Sequence, residues 1–310
     1  MPRRGIVENV VRWFDSGAVP PEPVAVGGVH KTEWLRITPF LFMHGACAAA
    51  IWTGVSPVAA IACAVLYVVR MFAITGFYHR YFSHRTFSTS RAGQFAFAVA
   101  GATAVQRGPL WWAAHHRRHH RFSDKPGDPH SALRDGFWWS HIGWITARAN
   151  FPTDLSQVPD LAKFPELRFL NRFDTLVPVL FAASLFALGA ALAAWAPQLG
   201  TSGPQMLVWG FFISTVLLFH GTFAINSLAH KIGRQRYPTG DESRNSAMLA
   251  VITLGEGWHN NHHWWPGTVR QGFHWWQFDP TYYGLRVLAL LGVVWDLRPV
   301  PDDVVAGGVA

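Results

Sequence analysis

Nine of the sixteen histidines in this 310-residue chain fall into four short clusters whose spacing suits metal binding. The clusters contain His79 and His84 in HRYFSH, His116, His119 and His120 in HHRRHH, His230 in NSLAH, and His259, His262 and His263 in HNNHH. Two of them repeat the pattern H-x-x-H-H, in which positions i, i+3 and i+4 project from one face of a helix. Each triplet is therefore able to direct three imidazoles at a common centre.

The first cluster has a different geometry. Five residues of an ideal helix turn through about 500°, which leaves His79 and His84 about 140° apart. This pair needs a helix end or a distortion, or else it serves two different metal ions. Eight or nine neutral imidazoles exceed what one metal accommodates, so the set favours two ions. Imidazole binds Zn, Cu, Fe and Ni, and ligand type alone leaves the metal open.

A single histidine among aromatic residues is more often structural than a ligand. The repeated triplets shift that balance for the nine clustered residues, whereas the other seven are interpreted as structural: His30, His44, His115, His130, His141, His220 and His274. Two of these seven, His44 and His220, lie in apolar segments, where ionisable groups are often functional.

The composition predicts an integral membrane protein. Half of the residues are hydrophobic, 14% are charged, and there are 16 Trp and 23 Phe, which is unusual for a soluble domain. The net charge of +8 favours anionic lipid or an acidic electron donor as partner, and not nucleic acid. Cys47 and Cys63 both lie in apolar stretches, which excludes a disulfide framework or a zinc ribbon.

Four apolar segments are long enough to cross a bilayer, which needs roughly 20 residues per helix. They are residues 35–53, 56–75, 174–197 and 204–225. A fifth run, 92–106, is short enough to be an interfacial or buried helix. If it crossed the membrane, the topology would invert after it.

Basic residues predict the orientation of these segments. The links at 53–55 and 198–203 contain no Lys or Arg, whereas the other connections hold nearly all 26 basic residues. Because Lys and Arg concentrate in cytoplasmic loops, we expect two hairpins whose ends face the cytoplasm, with all four histidine clusters on that side. We therefore predict one domain, residues 1–310. Its parts are an N-terminal interfacial segment (1–34), a first hairpin (35–75), a first segment of a cytoplasmic cap (76–173), a second hairpin (174–225) and a second cap segment (226–310).

The N-terminus begins MPRRG and continues with acidic residues where a signal peptide needs an apolar core, so no cleavage is expected. Residues 6–14 place apolar side chains at helical spacing. They are predicted to form an interfacial helix, with a frayed surface helix as the alternative.

The histidine strings and their neighbours resemble the membrane fatty acid desaturase family, most closely its stearoyl-coenzyme A branch. The matching strings are HRYFSH, HHRRHH with RFSD and GDPH, GFWWSHIGW, INSLAH and GEGWHNNHHWWP, in that order from about residue 75 to 265. The resemblance implies a mushroom-like, all-helical membrane fold with four transmembrane helices beneath a cytosolic cap that holds two iron ions. It also implies an enzyme that uses O2 to introduce a cis double bond near the middle of a long saturated acyl chain.

Site residues follow from the same resemblance. The implied iron ligands are His79, His84, His116, His119, His120, His230, His259, His262 and His263, with Asn226 completing one shell through a water. Glu256 is a candidate to accept a hydrogen bond from a metal-bound imidazole, and a solvent-facing carboxylate is the alternative.

An apolar tunnel must hold the reacting carbons beside iron and exclude water. Trp112 and Trp258, which precede two of the histidine boxes, are predicted tunnel walls, with generic packing as the alternative. The closed end is expected along Cys63 to Tyr67, where an inward Tyr67 would limit chain length.

The acyl carrier is left open. Ala114 and His115 stand where animal coenzyme A-dependent members have an Arg-Asp pair, and the basic cluster after GW is thinned to ARANFP. Arg121, Lys125, Arg134 and Arg148 are candidates to meet a carrier's phosphates, with a solvated or lipid-facing role as the alternative. Coenzyme A, a carrier protein and an acyl-lipid all remain open.

Electrons must come from another protein, because the chain has no dinucleotide, flavin or heme motif. We expect a separate ferredoxin, rubredoxin-like or cytochrome b5-like donor with its reductase, and an acidic donor would suit the basic cap. The expected location is a bacterial inner membrane, with the site facing the cytoplasm.

Two other functions are considered. A di-iron membrane hydroxylase or alkane monooxygenase would use the same ligands, because the outcome depends on fine geometry. A non-enzymatic metal-binding protein or transporter would place its ionisable ligands near the bilayer midplane, whereas these clusters are predicted at one face.

Overall fold

The computed structural model describes residues 6–18 and 32–307. Within them, three helices are long and apolar enough to cross a membrane: Pro57–Ser83, Leu176–Trp195 and Gly203–Leu228. They correspond to the second, third and fourth predicted segments. The first of them has 27 residues, which at 1.5 Å per residue span about 40 Å. This exceeds the roughly 30 Å of a hydrocarbon core, so the helix is longer than a single crossing needs.

The first predicted segment, 35–53, forms a shorter helical run. It consists of α2 (Thr38–Ala46), a 3-10 turn (Cys47–Ala49) and α3 (Ala50–Thr53). This run packs against the helix that begins at Gly203, and it falls short of the length of the three candidate spans. The structure therefore supports a membrane protein with three candidate spans and one shorter apolar helix.

The second span changes helix type where the first histidine box begins. Ser56 accepts a hydrogen bond from the backbone N–H of Ala59 and caps α4 (Pro57–Phe72), as a Ser-Pro pair favours. The helix then continues as a π-helix over Ala73–Ser83. A π-helix bonds each N–H to the carbonyl five residues earlier, and the N–H of His84 donates to the carbonyl of His79 at 3.3 Å.

This distortion resolves the geometry of the first box. The rings of His79 and His84 have centroids 4.9 Å apart, although an ideal helix would point them to different sides. Both features that the spacing called for are present, because the helix is distorted and it also ends at Ser83, with His84 as its C-cap residue.

Polar contacts also join the spans. The second hairpin consists of α10 (Leu176–Trp195), a 3-10 turn (Pro197–Leu199), α11 (Gly203–Gln205), a π-helix (Met206–Ile213) and α12 (Ser214–Leu228). The buried guanidinium of Arg70 on α4 donates to Thr215 Oγ1 at 2.6 Å and to Ser214 Oγ. Because a buried polar group within a membrane needs partners, these bonds fix the second span against the fourth.

Most of the other helices belong to two segments, residues 84–175 and 229–307, and some of them pack against the π-helical end of the second span. The fifth apolar run forms α5 (Arg91–Ala102), which is not one of the candidate spans. The other elements of the two segments are α6 (Pro109–Phe122), a π-helix (Trp139–Gly143), α7 (Trp144–Thr146), 3-10 turns (Arg148–Asn150 and Leu155–Gln157), α8 (Pro159–Ala162), α9 (Pro165–Arg172), α13 (Ala247–Ile252), α14 (His259–Trp264), α15 (Pro280–Leu290) and α16 (Asp302–Ala306). Strands β1 (Ser88–Thr89) and β2 (Val294–Trp295) pair antiparallel and join the two segments.

The N-terminal helix α1 (Ile6–Phe14) lies beside the start of the first apolar run. Trp13 Nε1 donates to the carbonyl of Leu35 at 3.0 Å, while Val7, Val11 and Phe14 are exposed. An exposed apolar face on a short helix fits the predicted interfacial position. Residues 1–5 and 19–31 of the predicted N-terminal segment, including His30, lie outside the described residues.

Candidate metal centre

The nine clustered histidines meet in two adjacent groups. The five-histidine group consists of His79, His84, His116, His120 and His262, and one ring nitrogen from each lies within 4.8 Å of those of the other four. Its Nε2 atoms face each other: His84 and His116 at 2.8 Å, His262 and His120 at 2.9 Å, and His262 and His79 at 3.0 Å.

The four-histidine group consists of His119, His230, His259 and His263, again with ring nitrogens within 4.8 Å of one another. His230 Nε2 and His259 Nε2 lie 3.1 Å apart, and Nε2 of His119 and of His263 is buried without a hydrogen-bond partner. The two groups are in contact, since the His119 and His120 rings are neighbours on α6 and the His262 and His263 rings are neighbours on α14.

The structure divides each H-x-x-H-H triplet between the two groups, which differs from the expected common centre. On α6, His116 and His120 belong to the five-histidine group and His119 to the other. Residues i and i+4 of a helix are about 40° apart, whereas i+3 and i+4 are about 100° apart. The i, i+4 pair therefore shares one group, and the i+3 residue reaches the next. The same division holds for His259, His262 and His263 on α14.

Burial keeps most of these imidazoles neutral. Desolvation, reinforced by neighbouring histidines, lowers the pKa of His84, His116, His120, His259 and His262 well below its ordinary value. Desolvation also lowers the pKa of His263, to about 4, although Asp241 opposes it. A neutral imidazole has a nitrogen lone pair available for a metal.

His119 is the exception. Burial would lower its pKa, but the carboxylates of Asp128, Asp124 and Asp241 together raise it above its ordinary value.

Carboxylates hold the outer nitrogen of four of the nine histidines. Nδ1 donates to Glu256 from His79 at 2.5 Å, to Asp128 from His119 at 3.0 Å, to Asp124 from His230 at 2.9 Å and to Asp241 from His263 at 2.7 Å. Such carboxylate–histidine pairs fix the ring and leave the other nitrogen for a metal. Three of the four belong to the four-histidine group.

Glu256 is buried and not solvent-facing. Besides His79, its carboxylate accepts from Arg80 at 3.1 Å and from Gln271 Nε2 at 2.8 Å. The fully buried Arg80 also pairs with Asp279 at 2.9 Å. Because an unpaired buried charge is strongly destabilising, this network fixes the position of Glu256 and, through it, His79.

Sequence reasoning named Glu256 but not Asp124, Asp128 or Asp241. A signal was present for two of them, because Asp124 and Asp128 follow the second histidine box in RFSD and GDPH. His130 of GDPH stacks on the His119 ring with centroids 4.3 Å apart. His119, Asp128 and His130 also lie close enough to one another to hold a third metal ion. However, Asp128 Oδ1 already accepts hydrogen bonds from His119 Nδ1 and from the backbone N–H of His130.

A cavity of about 500 Å³ leads to both histidine groups, and it is mostly apolar. His79 and His116 of one group and His119 and His259 of the other line one part of it, together with Asn226 and Glu256. Met71, Ile74, Phe211 and Phe219 line its apolar part. Its volume lies within the usual range for a small-molecule site, and its composition suits a hydrocarbon chain.

Trp112 is the one predicted tunnel residue found among the described residues that line this cavity. Its Nε1 lies 3.4 Å from Gln106 Oε1, and Gln106 Nε2 donates to Thr222 Oγ1 at 2.8 Å. Gln106 and Thr222 also line the cavity. These three side chains place polar atoms in contact with one another in an otherwise apolar wall.

The other predicted tunnel residues lie behind the lining or away from it. The Tyr67 hydroxyl donates to the Ile252 carbonyl at 2.7 Å, next to the lining residue Thr253. Cys63 is buried one turn earlier on α4. Trp258 donates from Nε1 to the Phe278 carbonyl at 2.8 Å, which turns it away from the cavity.

The predicted head-group residues do not line the cavity either. Arg121 and Lys125 are exposed near the end of α6, and Arg148 is half-buried. The basic side chains that do line the cavity are Arg12, Arg36 and Arg107, and sequence reasoning did not single them out. They lie far apart in the chain, so only the tertiary fold brings them together.

The donor set fits a metal centre. Imidazole nitrogens suit Zn, Cu, Fe and Ni, and the buried unpartnered Nε2 atoms of His119 and His263 would otherwise be costly. In the five-histidine group, His262 Nε2 contacts two other Nε2 atoms, and one ring nitrogen cannot satisfy both. Bound cations would satisfy all of these atoms.

Comparisons with known proteins agree with this geometry. Residues 55–294 match the fatty acid desaturase family. The chloroplastic palmitoyl-monogalactosyldiacylglycerol delta-7 desaturase of Arabidopsis thaliana is 37% identical over 94% of this chain and 72% of its own length. The acyl-CoA 5-desaturase AL21 of Anemone leveillei is 36% identical over 91% and 79%. The sn-1 stearoyl-lipid 9-desaturase of Anabaena variabilis is 33% identical over 89% and 97%.

Proposed function

The chain belongs to the fatty acid desaturase family and is a fatty acyl desaturase, and on that premise we propose that it is a di-iron, O2-dependent enzyme. Its product is a cis double bond near the middle of a long saturated acyl chain. One observation supports this most strongly: two adjacent groups of buried histidines border an apolar cavity.

One iron is held by the five-histidine group and the other by the four-histidine group. Asn226 borders the cavity beside His259, which is compatible with a water-mediated contact to the second iron. When bound, the irons supply the redox chemistry with which O2 removes hydrogen from adjacent methylenes. Imidazole nitrogens suit iron, and the two groups together supply nine of them.

The chain's own residues hold the substrate and the ligand geometry. The apolar lining excludes water from the reacting carbons, and Trp112 with Gln106 and Thr222 forms the wall against which the chain is positioned. Tyr67, behind Thr253, limits how far the chain extends, with Cys63 one turn beyond it. Trp258 supports the wall indirectly, because it precedes His259 and bonds to the backbone at Phe278.

The membrane arrangement consists of four transmembrane helices, the shorter one being residues 38–53, under a helical cap that faces the cytoplasm of a bacterial inner membrane. The whole chain then acts as one domain. The histidine groups lie where the second span leaves the apolar helices, at His79 and His84, and this supports placing all ligands on one side.

Electrons come from a separate ferredoxin, rubredoxin-like or cytochrome b5-like protein. Arg121 and Lys125 are exposed on the segment whose Asp124 contacts His230, and Lys231 and Arg234 are exposed next to His230. An acidic donor bound near these residues would approach the four-histidine group closely, and charge complementarity would speed its association.

Expression in a host unable to make unsaturated fatty acids tests the proposal. New double bonds are mapped by mass spectrometry, and iron is measured in the purified protein. His262→Ala should abolish the product, whereas His274→Ala, which alters a cap histidine outside both groups, should leave it. A product that gains an oxygen atom without losing two hydrogens, or active protein that contains no iron, would contradict the proposal.

A further inference from the structure

Two side chains that line the cavity are also exposed on the outer surface of apolar helices. Phe42 on α2 and Val179 on α10 both line it, yet they are 63% and 56% exposed. A large apolar side chain exposed on a membrane-spanning helix faces the hydrocarbon of the bilayer. The gap between α2 and α10 is therefore an opening that acyl chains of the membrane can enter without crossing water.

Basic groups stand beside this opening at the level where the spans begin. Arg36 precedes α2 by two residues and Asp174 precedes α10 by two, and both line the cavity with Arg107 and Arg12. Arg107 pairs with Asp174 at 2.9 Å, and Arg12 lies 3.7 Å from Glu33. Positions at span ends lie among lipid head groups, so this cluster faces the polar part of a lipid.

Arg36 is the cation of this cluster that has no ion pair within 4.0 Å among the described residues, although Asp174 and Glu33 act on it from farther away. Its side chain lies over the Phe151 ring at 5.1 Å, and no carboxylate of the described residues is within 4.0 Å of it. The residue is 8% exposed, and burial together with the nearby Arg107 lowers its pKa to about 10. It is still cationic at neutral pH, so a buried positive charge faces the cavity and favours an anionic or strongly polar oxygen.

The N-terminal helix flanks the same opening. Trp13 lines the cavity and is bonded to Leu35, and the opposite face of α1 exposes Val7 and Val11. A helix with an exposed apolar face and basic residues lies in the interfacial plane of a membrane. Its position there keeps the basic cluster against the bilayer and away from bulk water.

Resting on the proposed desaturase function, we propose that the acyl carrier is a membrane glycerophospholipid, which enters sideways between α2 and α10. The acyl chain lies in the apolar cavity, and the phosphate and ester oxygens lie beside Arg36. A soluble thioester would instead place its phosphates on the aqueous face, away from Arg36.

The direct test offers both carriers to the same iron-loaded protein. The protein is placed in nanodiscs of a branched-chain lipid that cannot be desaturated, with a fixed fraction of phosphatidylglycerol bearing deuterated stearoyl chains. A parallel sample receives deuterated stearoyl-coenzyme A and no labelled lipid. Both receive the same electron donor, and loss of two deuterium atoms from intact lipid or thioester is measured.

We expect the lipid to be desaturated at least about tenfold faster than the thioester, as expected when a site matches one substrate and not the other. Desaturation of the thioester but not the lipid would overturn this inference while leaving the desaturase function intact. If neither label is desaturated although iron is bound and reduced, the proposed function itself fails, and the inference with it.

Two variants locate the entry. Val179→Trp narrows the opening and should slow lipid desaturation by about tenfold, without changing iron content. Leu180→Trp is the matched control, because Leu180 is 60% exposed on the same helix but does not line the cavity; it should behave as wild type. Arg36→Gln should raise KM for the lipid by about tenfold, the effect of losing one charge-assisted hydrogen bond. Equal effects of Val179→Trp and Leu180→Trp, or an unchanged KM in Arg36→Gln, would contradict entry at this site.

Discussion

Histidines occur in two regions of this protein with opposite arrangements. In the candidate metal centre, the imidazoles of nine residues converge, and the Nε2 atoms of seven of them face one another at 2.8 to 3.1 Å. Between the spans, three others form a line, which we call the histidine chain: His44 Nε2 lies 3.3 Å from His220 Nε2, and His220 Nδ1 lies 3.0 Å from His141 Nε2.

The hydrogen-bond count separates the two regions. In the histidine chain, His44 Nδ1 donates to the Phe40 carbonyl at 2.9 Å, so its Nε2 accepts from His220. His220 Nδ1 then accepts from His141. His141 Nδ1 accepts from the Ser227 hydroxyl at 2.9 Å when the hydroxyl proton turns to it from the Phe223 carbonyl, which is 3.0 Å away. Every ring nitrogen of these three neutral imidazoles then has a hydrogen-bond partner, so no cation is needed between them. No such assignment exists for the converging nitrogens of His79, His120 and His262.

Carboxylates mark the same difference. Four histidines of the metal centre donate Nδ1 to a buried Asp or Glu, whereas the histidine chain ends on a backbone carbonyl and a hydroxyl. A carboxylate stabilises an imidazole that binds a cation, and a neutral structural imidazole does not need one. Convergence with carboxylate support is therefore typical of metal ligands, and a linear order is typical of structural histidines.

The largest expected effect comes from removing one ligand. His263→Ala should lower bound iron from about two to about one per chain, because three imidazoles remain in its group, and activity should become undetectable. His220→Ala in the histidine chain should keep both irons. Iron content by mass spectrometry of the metal checks this, and equal iron loss in both variants would remove the distinction between the regions.

A smaller effect is expected for the carboxylates. Asp124→Asn leaves His230 in place but removes the negative charge that orients its Nδ1, and the loss of such a partner typically costs about 10- to 100-fold in metal affinity or activity. Chelator competition measures the affinity.

The matched control for Asp124→Asn is Glu166→Gln, a surface carboxylate paired with Arg91. It should leave iron affinity unchanged. Full iron affinity in Asp124→Asn would mean that this carboxylate has only a structural role.

The sequence was sufficient to predict which histidines meet, because the triplets and apolar segments are local patterns with fixed helical periods. It did not predict that His119 and His262 leave their triplets for the other group, since that depends on how α6 and α14 face each other. Asp241 and Arg36 were missed for a similar reason. Neither belongs to a local pattern, and each obtains its role from a contact made only in the folded chain.

On the membrane side, Tyr67 should affect substrate choice and not metal binding. Tyr67→Ala opens space behind Thr253, so the ratio of longer to shorter acyl products should rise by about tenfold, the scale of discrimination by apolar pocket size. Tyr67→Phe keeps the ring and loses only the bond to Ile252, and it should retain the wild-type ratio. Chain-length profiles by gas chromatography check this, and an unchanged ratio in Tyr67→Ala would show that the cavity ends elsewhere.

The smallest effect is expected within the histidine chain itself. His220→Leu removes the central ring and leaves His44 and His141 without their partner, which should lower the free energy of unfolding by about 1 kcal/mol, as interhelical hydrogen bonds in membranes typically contribute. Removing His44 or His220 interrupts the same line of hydrogen bonds. The double variant His44→Leu with His220→Leu should therefore lose less stability than the sum of the two single variants. Thermal unfolding in detergent measures all three. Full additivity would mean that the rings act independently. A loss of iron or activity without a loss of stability would mean that these histidines take part in the chemistry, and that their role is not limited to holding α12 against α2 and the residues around His141.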